Sequence, residues 1–306
     1  MNIDRLNARY GAPGRIVFRP GHCGYPNVVL ANKYGSAEVA LLGANVLSYR
    51  PTGHSDAIFR PAKRDYNRGE SFHGGIPVCF PQFGNRFSKD LAQHGFARIM
   101  PFAVKATEYS DEMTEVTLSL KSDDATRSLW PHDFEVTYKV SVSMKLNLTL
   151  SVENTGADEF GFSCGLHPYL AVMERDRTVV KGLGGCDFID GYAGVEGRLD
   201  GDFAMTEPKD HIFALPASPR HEFALIDSGL RRAIALASAG NDRLVVWNPG
   251  DKNVLADFTP DDWRKFVCVE PVSDWPGGRT LAAGAKYVLM AAIQSTMEGC
   301  DECAEA

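Results

Sequence analysis

The sequence predicts an all-β chain, mainly antiparallel, with a few short helices. Three observations carry that prediction. From 134 to 152 every even position is apolar (Phe134, Val136, Tyr138, Val140, Val142, Met144, Leu146, Leu148, Leu150, Val152) and every odd position between them is polar. That is the period-two pattern of strand with one buried face. The same alternation returns in Val116, Leu118 and Leu120, and shorter β-rich runs occur at 245–247, 266–269 and 287–293. Glycine (29) and proline (17) recur throughout, as they do where many short strands are joined by turns.

In chain order, the apolar runs at 39–47 and 287–293 are both far too short to span a bilayer. The segment Gly74-Gly75-Ile76-Pro77-Val78-Cys79-Phe80-Pro81 sets two glycines and two prolines around a short apolar core. Proline fits poorly inside a central strand, so this segment is expected to line something. Residues 123–130 read as a short helix with Ser122 as cap and Pro131 as stop. The alternation at 134–152 is roughly three times the usual strand length. It is expected to be two antiparallel strands joined near 145–147, or one long bent strand. A turn is expected around 260–265. Residues 1–294 are expected to form one domain of packed antiparallel sheets, and the small, acidic residues 295–306 a disordered tail.

With 306 residues, 44% hydrophobic and 23% charged, the chain can bury a sizeable core. Lys plus Arg number 32 against 39 Asp plus Glu, a net charge of −7. That balance argues against nucleic acid or an anionic membrane as the main partner; a small anionic substrate would need only a local basic pocket. The first residues carry no apolar run of the secretory kind, so no signal peptide is expected. Seven cysteines without tight spacing, Cys300-Asp-Glu-Cys303 apart, point to a reducing cytosol with thiols used as core residues. Cys300 and Cys303 have no second pair to complete a zinc site.

Several polar residues stand out. Glu270 ends the apolar run Val267-Cys268-Val269 just before Pro271. A carboxylate so placed is partly desolvated, which raises its pKa and suits it to general-base work; a solvated strand-end glutamate is the plainer reading. His167, among Leu166, Pro168 and Tyr169, reads equally as a hydrogen-bonded core histidine. Gln93-His94-Gly95-Phe96-Ala97-Arg98 groups an amide, an imidazole and a guanidinium. Arg60, Lys63, Arg64 and Arg68 put four cations beside the Gly-Gly segment, either a solvated loop or a phosphate site.

In order, these segments resemble the glucose-6-phosphate 1-epimerase branch of the aldose 1-epimerase (galactose mutarotase) superfamily. The pieces are Gly74-Gly75-Ile76-Pro77 with Phe80-Pro81 and Phe83-Gly84, Gln93-His94-Gly95-Phe96-Ala97-Arg98, Trp130-Pro131-His132-Asp133-Phe134, Leu166-His167-Pro168-Tyr169, Phe188-Ile189-Asp190, Val246-Trp247-Asn248-Pro249 and Cys268-Val269-Glu270. The resemblance implies a β-supersandwich of the galactose mutarotase type, with the sugar lying in an open cleft across one sheet. It implies His167 as general acid on the ring oxygen and Glu270 as general base on the anomeric hydroxyl. Gln93, Arg98 and Asp190 then fall at substrate-binding positions, with His73 and His94 beside them.

Such chemistry interconverts sugar anomers by opening and reclosing a hemiacetal. It moves protons only, so no cofactor and no metal is expected, and the partner is a small sugar or sugar phosphate. Phosphate-preferring members carry arginine immediately before Gly-Gly, where this chain has His73. Imidazole cannot form arginine's bidentate fork. Either another arginine supplies the charge or the substrate is an unphosphorylated aldose. Two other readings fit the fold: a carbohydrate lyase or hydrolase, which would need a carboxylate pair such as Asp190 with Glu270, and a sugar-binding protein without turnover.

Overall fold

The alternation from 134 to 152 is a hairpin. Strands Phe134–Val142 and Leu146–Asn154 pair antiparallel, with Phe134 opposite Asn154 and Val142 opposite Leu146. Even residues therefore face even residues, and the three turn residues 143–145 keep both strands in phase. The connection is thus invisible in the hydropathy pattern, except that Met144 at the turn is exposed. The even side chains on both strands are buried.

A computed structural model describes residues 1–61, 72–85, 88–251, 255–273 and 278–297. Lys63, Arg64, Arg68, Cys300 and Cys303 lie outside the described residues. The hairpin sits in a nine-stranded sheet whose order is Phe203–Ala204, Thr178–Lys181, His221–Asp227, Arg232–Ala239, Lys286–Met297, Leu146–Asn154, Phe134–Val142, Thr114–Lys121, Ala103–Tyr109. A second, eight-stranded sheet runs Glu196–Arg198, Asp187–Asp190, Lys209–Ala214, Arg243–Asn248, Phe266–Ser273, Cys164–Leu166, Val78–Cys79, and Tyr169–Ala171 also pairs with Phe266–Ser273. A four-stranded sheet (Ile16–Pro20, Pro26–Asn32, Gly35–Ala40, Val46–Pro51) and a two-stranded one (Phe160–Phe162 with Arg279–Leu281) complete the layers. The named strands pair antiparallel throughout.

The main core joins the sheets. Phe80 is ringed by Phe96, Trp130, Phe134 and Phe162, with centroids 5.1–6.3 Å away. Such edge-to-face clusters add to area burial alone. It anchors the Gly74–Pro81 segment from beneath.

Two expectations need correcting, and one helix was not among them. The last strand runs on to Met297 and pairs with Arg232–Ala239, so residues 295–297 are sheet and not tail. The short helix α2, Asp124–Leu129, is capped by Asp123, whose carboxylate accepts from Thr126 N–H in a reciprocal capping box; Ser122 instead donates to Asp133. A helix α1 at Ile3–Tyr10, capped by Asn2, has no counterpart among the expected elements. Ile3, Leu6 and Tyr10 lean on the core, at the spacing of one helical stripe. No described helix is long and apolar enough to cross a membrane.

Candidate active site

Register brings His167 and Glu270 together. Strand Phe266–Ser273 pairs with Cys164–Leu166 as Gly165 opposite Val272, and with Tyr169–Ala171 as Tyr169 opposite Cys268. The same register, carried through the gap from both sides, sets His167 opposite Glu270. The gap has a local cause: Pro168 has no N–H to give the ladder, and His167 N–H bonds Pro77 O at 3.1 Å instead. Directly opposed residues project from the same face of a sheet. His167 Nε2 lies 3.3 Å from Glu270 Oε2, without hydrogen-bond alignment.

Two cross-strand rows form the floor. One is His167, Glu270, Val245, Ile212; the other is Tyr169, Cys268, Trp247, Asp210. Above them opens a cleft of about 300 Å³ lined by His73, Gln93, His94, Arg98, His167, Glu270, Asp210, Tyr169, Trp247 and others. The Tyr169 ring stacks on His167 at 4.8 Å and 12°, fixing the imidazole plane. Gly165 is required where it stands: a Cβ there would meet Phe83 Cδ2 at 2.6 Å, and Phe83 walls the cleft beside His94.

The Gly-Gly segment delivers His73. Gly74 and Gly75 both take positive φ, and a Cβ on Gly75 would meet Asn45 Oδ1 at 2.3 Å. Asn45 in turn accepts from Ile76 N–H and donates to Gly74 O. His73 at the rim bonds Asp257 twice, through Nδ1 and through its backbone N–H, both at 2.9 Å. Arg98, buried in a short 3₁₀ turn, donates from Nη2 to Phe72 O. Gly84 N–H donates to His94 Nδ1, which leaves the ring proton on Nε2.

The electrostatics are set by burial. Burial holds the Glu270 carboxyl well above the ordinary carboxylate range; Asp210 adds to this and Arg98 opposes it. Burial, then His94, Arg98 and His73, hold His167 well below a free imidazole. Burial, Arg98 and His73 bring His94 down to about 3, so it stays neutral. For Asp257 burial pulls upward, but the bonds and charge of His73 prevail and keep it low.

Of the residues singled out from sequence, His73, Gln93, His94, Arg98, His167 and Glu270 line one cleft. Asp190 does not. Its carboxylate accepts from Tyr192 and Ala193 N–H in a tight turn, and it sits opposite His211, whose ring packs among Phe188, Phe203 and Phe213 on the far face. Asp210, one residue out of phase with His211, holds the cleft side, and Gly191 makes room for its carboxylate. The signal was present in the period of two: Asp210 and Ile212 alternate in step with Trp247 and Val245. Arg60 is paired with Glu38 at 3.6 Å and is not among the cleft residues.

A family model described as aldose 1-epimerase matches residues 26–294. The chain belongs to the aldose 1-epimerase family. This epimerase is 32% identical over 249 residues to a Salmonella typhimurium protein named "Putative glucose-6-phosphate 1-epimerase", covering 80% of this chain and 82% of that one. A protein of the same name from Escherichia coli is 29% identical, covering 79% and 81%. The crystal structure of YeaD from Salmonella typhimurium matches with a TM-score of 0.86 at 28% identity, over 96% of this chain and 99% of that one. A galactose mutarotase related enzyme from Lactobacillus acidophilus shares the fold, with a TM-score of 0.71 at 17% identity over 88% and 97%. The epimerase therefore has the galactose mutarotase type of β-supersandwich and is an isomerase acting on sugars.

Proposed function

We propose that this epimerase interconverts the α and β anomers of a hexose 6-phosphate such as glucose 6-phosphate, with His167 and Glu270 as its acid/base pair. The observation that carries the proposal is His167 opposite Glu270 at 3.3 Å on a cleft floor. Ring opening removes a proton from the anomeric hydroxyl and adds one to the ring oxygen. Ionised Glu270 takes the first, and the carbonyl forms as the carbon–ring oxygen bond breaks. Protonated His167 gives its proton to the departing ring oxygen. The aldehyde turns about its bond to the neighbouring carbon and recloses on the other face with both protons retraced.

The pair holds one proton in total before and after each half-reaction. A lowered histidine and a raised glutamate keep one proton on the pair over a wide pH span, resting on Glu270, and the reactive form is the tautomer that carries it on His167. Each positioned group contributes about 10²–10⁴-fold. Arg98 grips hydroxyls or phosphate through its donor fork. His94 donates from neutral Nε2–H, Gln93 and His73 act at the rim, and Asp210, not Asp190, accepts from sugar hydroxyls. The buried thiols Cys79, Cys164, Cys186 and Cys268, used as core residues, support a reducing cytosolic setting.

A second reading, an unphosphorylated aldose, is favoured by one observation. His73 is clamped to Asp257, so a carboxylate stands where a phosphate would want cations alone. Anomer exchange followed by NMR on glucose 6-phosphate, glucose and galactose decides between the two. Acceleration by wild type but not by Glu270→Gln is expected, with the phosphorylated sugar preferred. Preference for a free aldose selects the second reading, and no acceleration of any of the three refutes both.

A further inference from the structure

The acid/base reading uses His167 and Glu270 and leaves Cys268 idle. Yet a ring nitrogen of His167, Sγ of Cys268 and a carboxylate oxygen of Glu270 all lie within 4.8 Å of one another, and all three residues are buried. Strand geometry enforces the grouping. Cys268 and Glu270 are two apart on strand Phe266–Ser273 and share its cleft face, and His167 stands opposite Glu270. The carboxyl's lone pairs are free: both Glu270 oxygens have no hydrogen-bond partner.

The donor set selects the ligand. A thiol, an imidazole and a carboxylate together suit a borderline-soft cation, whereas Mg²⁺ and Ca²⁺ favour oxygen alone. Nitrogen and oxygen ligands at about 2.05 Å on a tetrahedral Zn²⁺ stand about 3.3 Å apart, which is the observed His167 Nε2 to Glu270 Oε2 separation. The sulfur must be drawn in by about 1 Å to complete the corner. The fourth position opens to the cleft through which the ion enters.

We propose that His167, Cys268 and Glu270 form an inhibitory site for a thiophilic divalent cation, Zn²⁺ or Cd²⁺, which occupies the lone pairs that the sugar chemistry needs. On binding, the thiol and the carboxyl each release a proton to solvent, and the imidazole contributes its lone pair without losing one. Inhibition rests on the function proposed above, whereas metal binding does not.

The test uses the full chain carrying Cys300→Ala and Cys303→Ala, which removes the other closely spaced thiol pair. Titration with Co²⁺ and Cd²⁺ is read by thiolate-to-metal charge-transfer absorption, and Zn²⁺ inhibition by anomer exchange. A charge-transfer band is expected that disappears in both Cys268→Ala and Cys268→Ser. For whatever exchange the same variants retain, the Zn²⁺ needed for half-inhibition rises at least about 100-fold, the upper end of what loss of a partner that only supports a ligand costs. Absence of the band, or its survival in the Cys268 variants, overturns the site. Exchange that continues undiminished with the metal bound overturns its inhibitory role. A Cys268-dependent band in a protein with no exchange activity supports the site and sinks the epimerase reading instead.

Discussion

Gly165→Ala tests how tightly the cleft wall is built. The added Cβ would lie 2.6 Å from Phe83 Cδ2, 3.1 Å from Cε2 and 3.3 Å from Pro271 O. Ordinary carbon contacts are about 3.5–4.0 Å, so the Phe83 ring must retreat by about 1 Å. The Cβ has little room to retreat instead, because Pro271 O already stands 3.3 Å from it. Overpacking of this kind costs about 1–3 kcal/mol, or about 1.5–5 °C in Tm for a chain of this size. Phe83 also stands beside the proposed acid/base site, its ring centroid being 4.9 Å from that of His94 and 6.3 Å from that of His167. A displacement of about 1 Å near reacting groups can cost about 100-fold in rate, so kcat/KM should fall about 10–100-fold. Calorimetry and anomer exchange read the two effects. In the double variant with Phe83→Leu, much of the stability loss should return, with a coupling of at least about 0.5 kcal/mol. Unchanged Tm and kcat/KM, or strictly additive losses in the double variant, would refute the reasoning.

Other outcomes follow from the same geometry. The acid limb of kcat/KM should fall below the free imidazole value of about 6.5, because burial lowers His167. Replacing Arg98 by Met should move both limbs upward, since Arg98 lowers His167 and Glu270 alike; an acid limb at or above 6.5 in wild type contradicts this. Glu270 has a raised folded-state pKa, so its contribution to stability is present at low pH and lost as pH rises. Glu270→Gln should therefore exceed wild type in Tm by a margin that grows from about pH 5 to about pH 8, and a variant less stable at the higher pH would show an ionised, paired Glu270. Asp210→Asn should raise KM about tenfold or more, the scale of one lost charged hydrogen bond, while Asp190→Ala leaves KM alone and loosens its turn by about 1 kcal/mol. His73→Arg should lower KM for glucose 6-phosphate, and an unchanged KM separates His73 from phosphate recognition.

Much of the sheet architecture was legible because burial on one face writes itself into sequence every second residue, as from Phe134 to Val152. The same rule left the hairpin open against one long bent strand and blurred its turn, expected near 145–147 and found at 143–145, since that turn has an odd number of residues and Met144 continues the pattern. Helix α1 carried a readable stripe in Ile3, Leu6 and Tyr10, but a strand-dominated chain draws attention from so short a helix. His167 and Glu270 could be named as candidates but not joined, because their meeting depends on a register fixed by Gly165 with Val272 and by Tyr169 with Cys268. Asp190 falls outside the cleft lining for a related reason. A resemblance locates a segment, whereas one step along a strand decides which face a carboxylate sees.

Of the two groups proposed to react, Glu270 stands on strand Phe266–Ser273 and His167 is held opposite it by the pairs on either side, while Gln93 and the Tyr192 turn that bonds Trp247 Nε1 hang from connections between strands. The proposed chemistry and part of the choice of sugar are thereby carried by separable parts of the chain. Grafting new connections can change which sugar enters without rebuilding proton transfer, and natural drift has the same freedom. A single residue inserted between Cys268 and Glu270 has none: it turns the carboxylate into the core and ends the reaction at once.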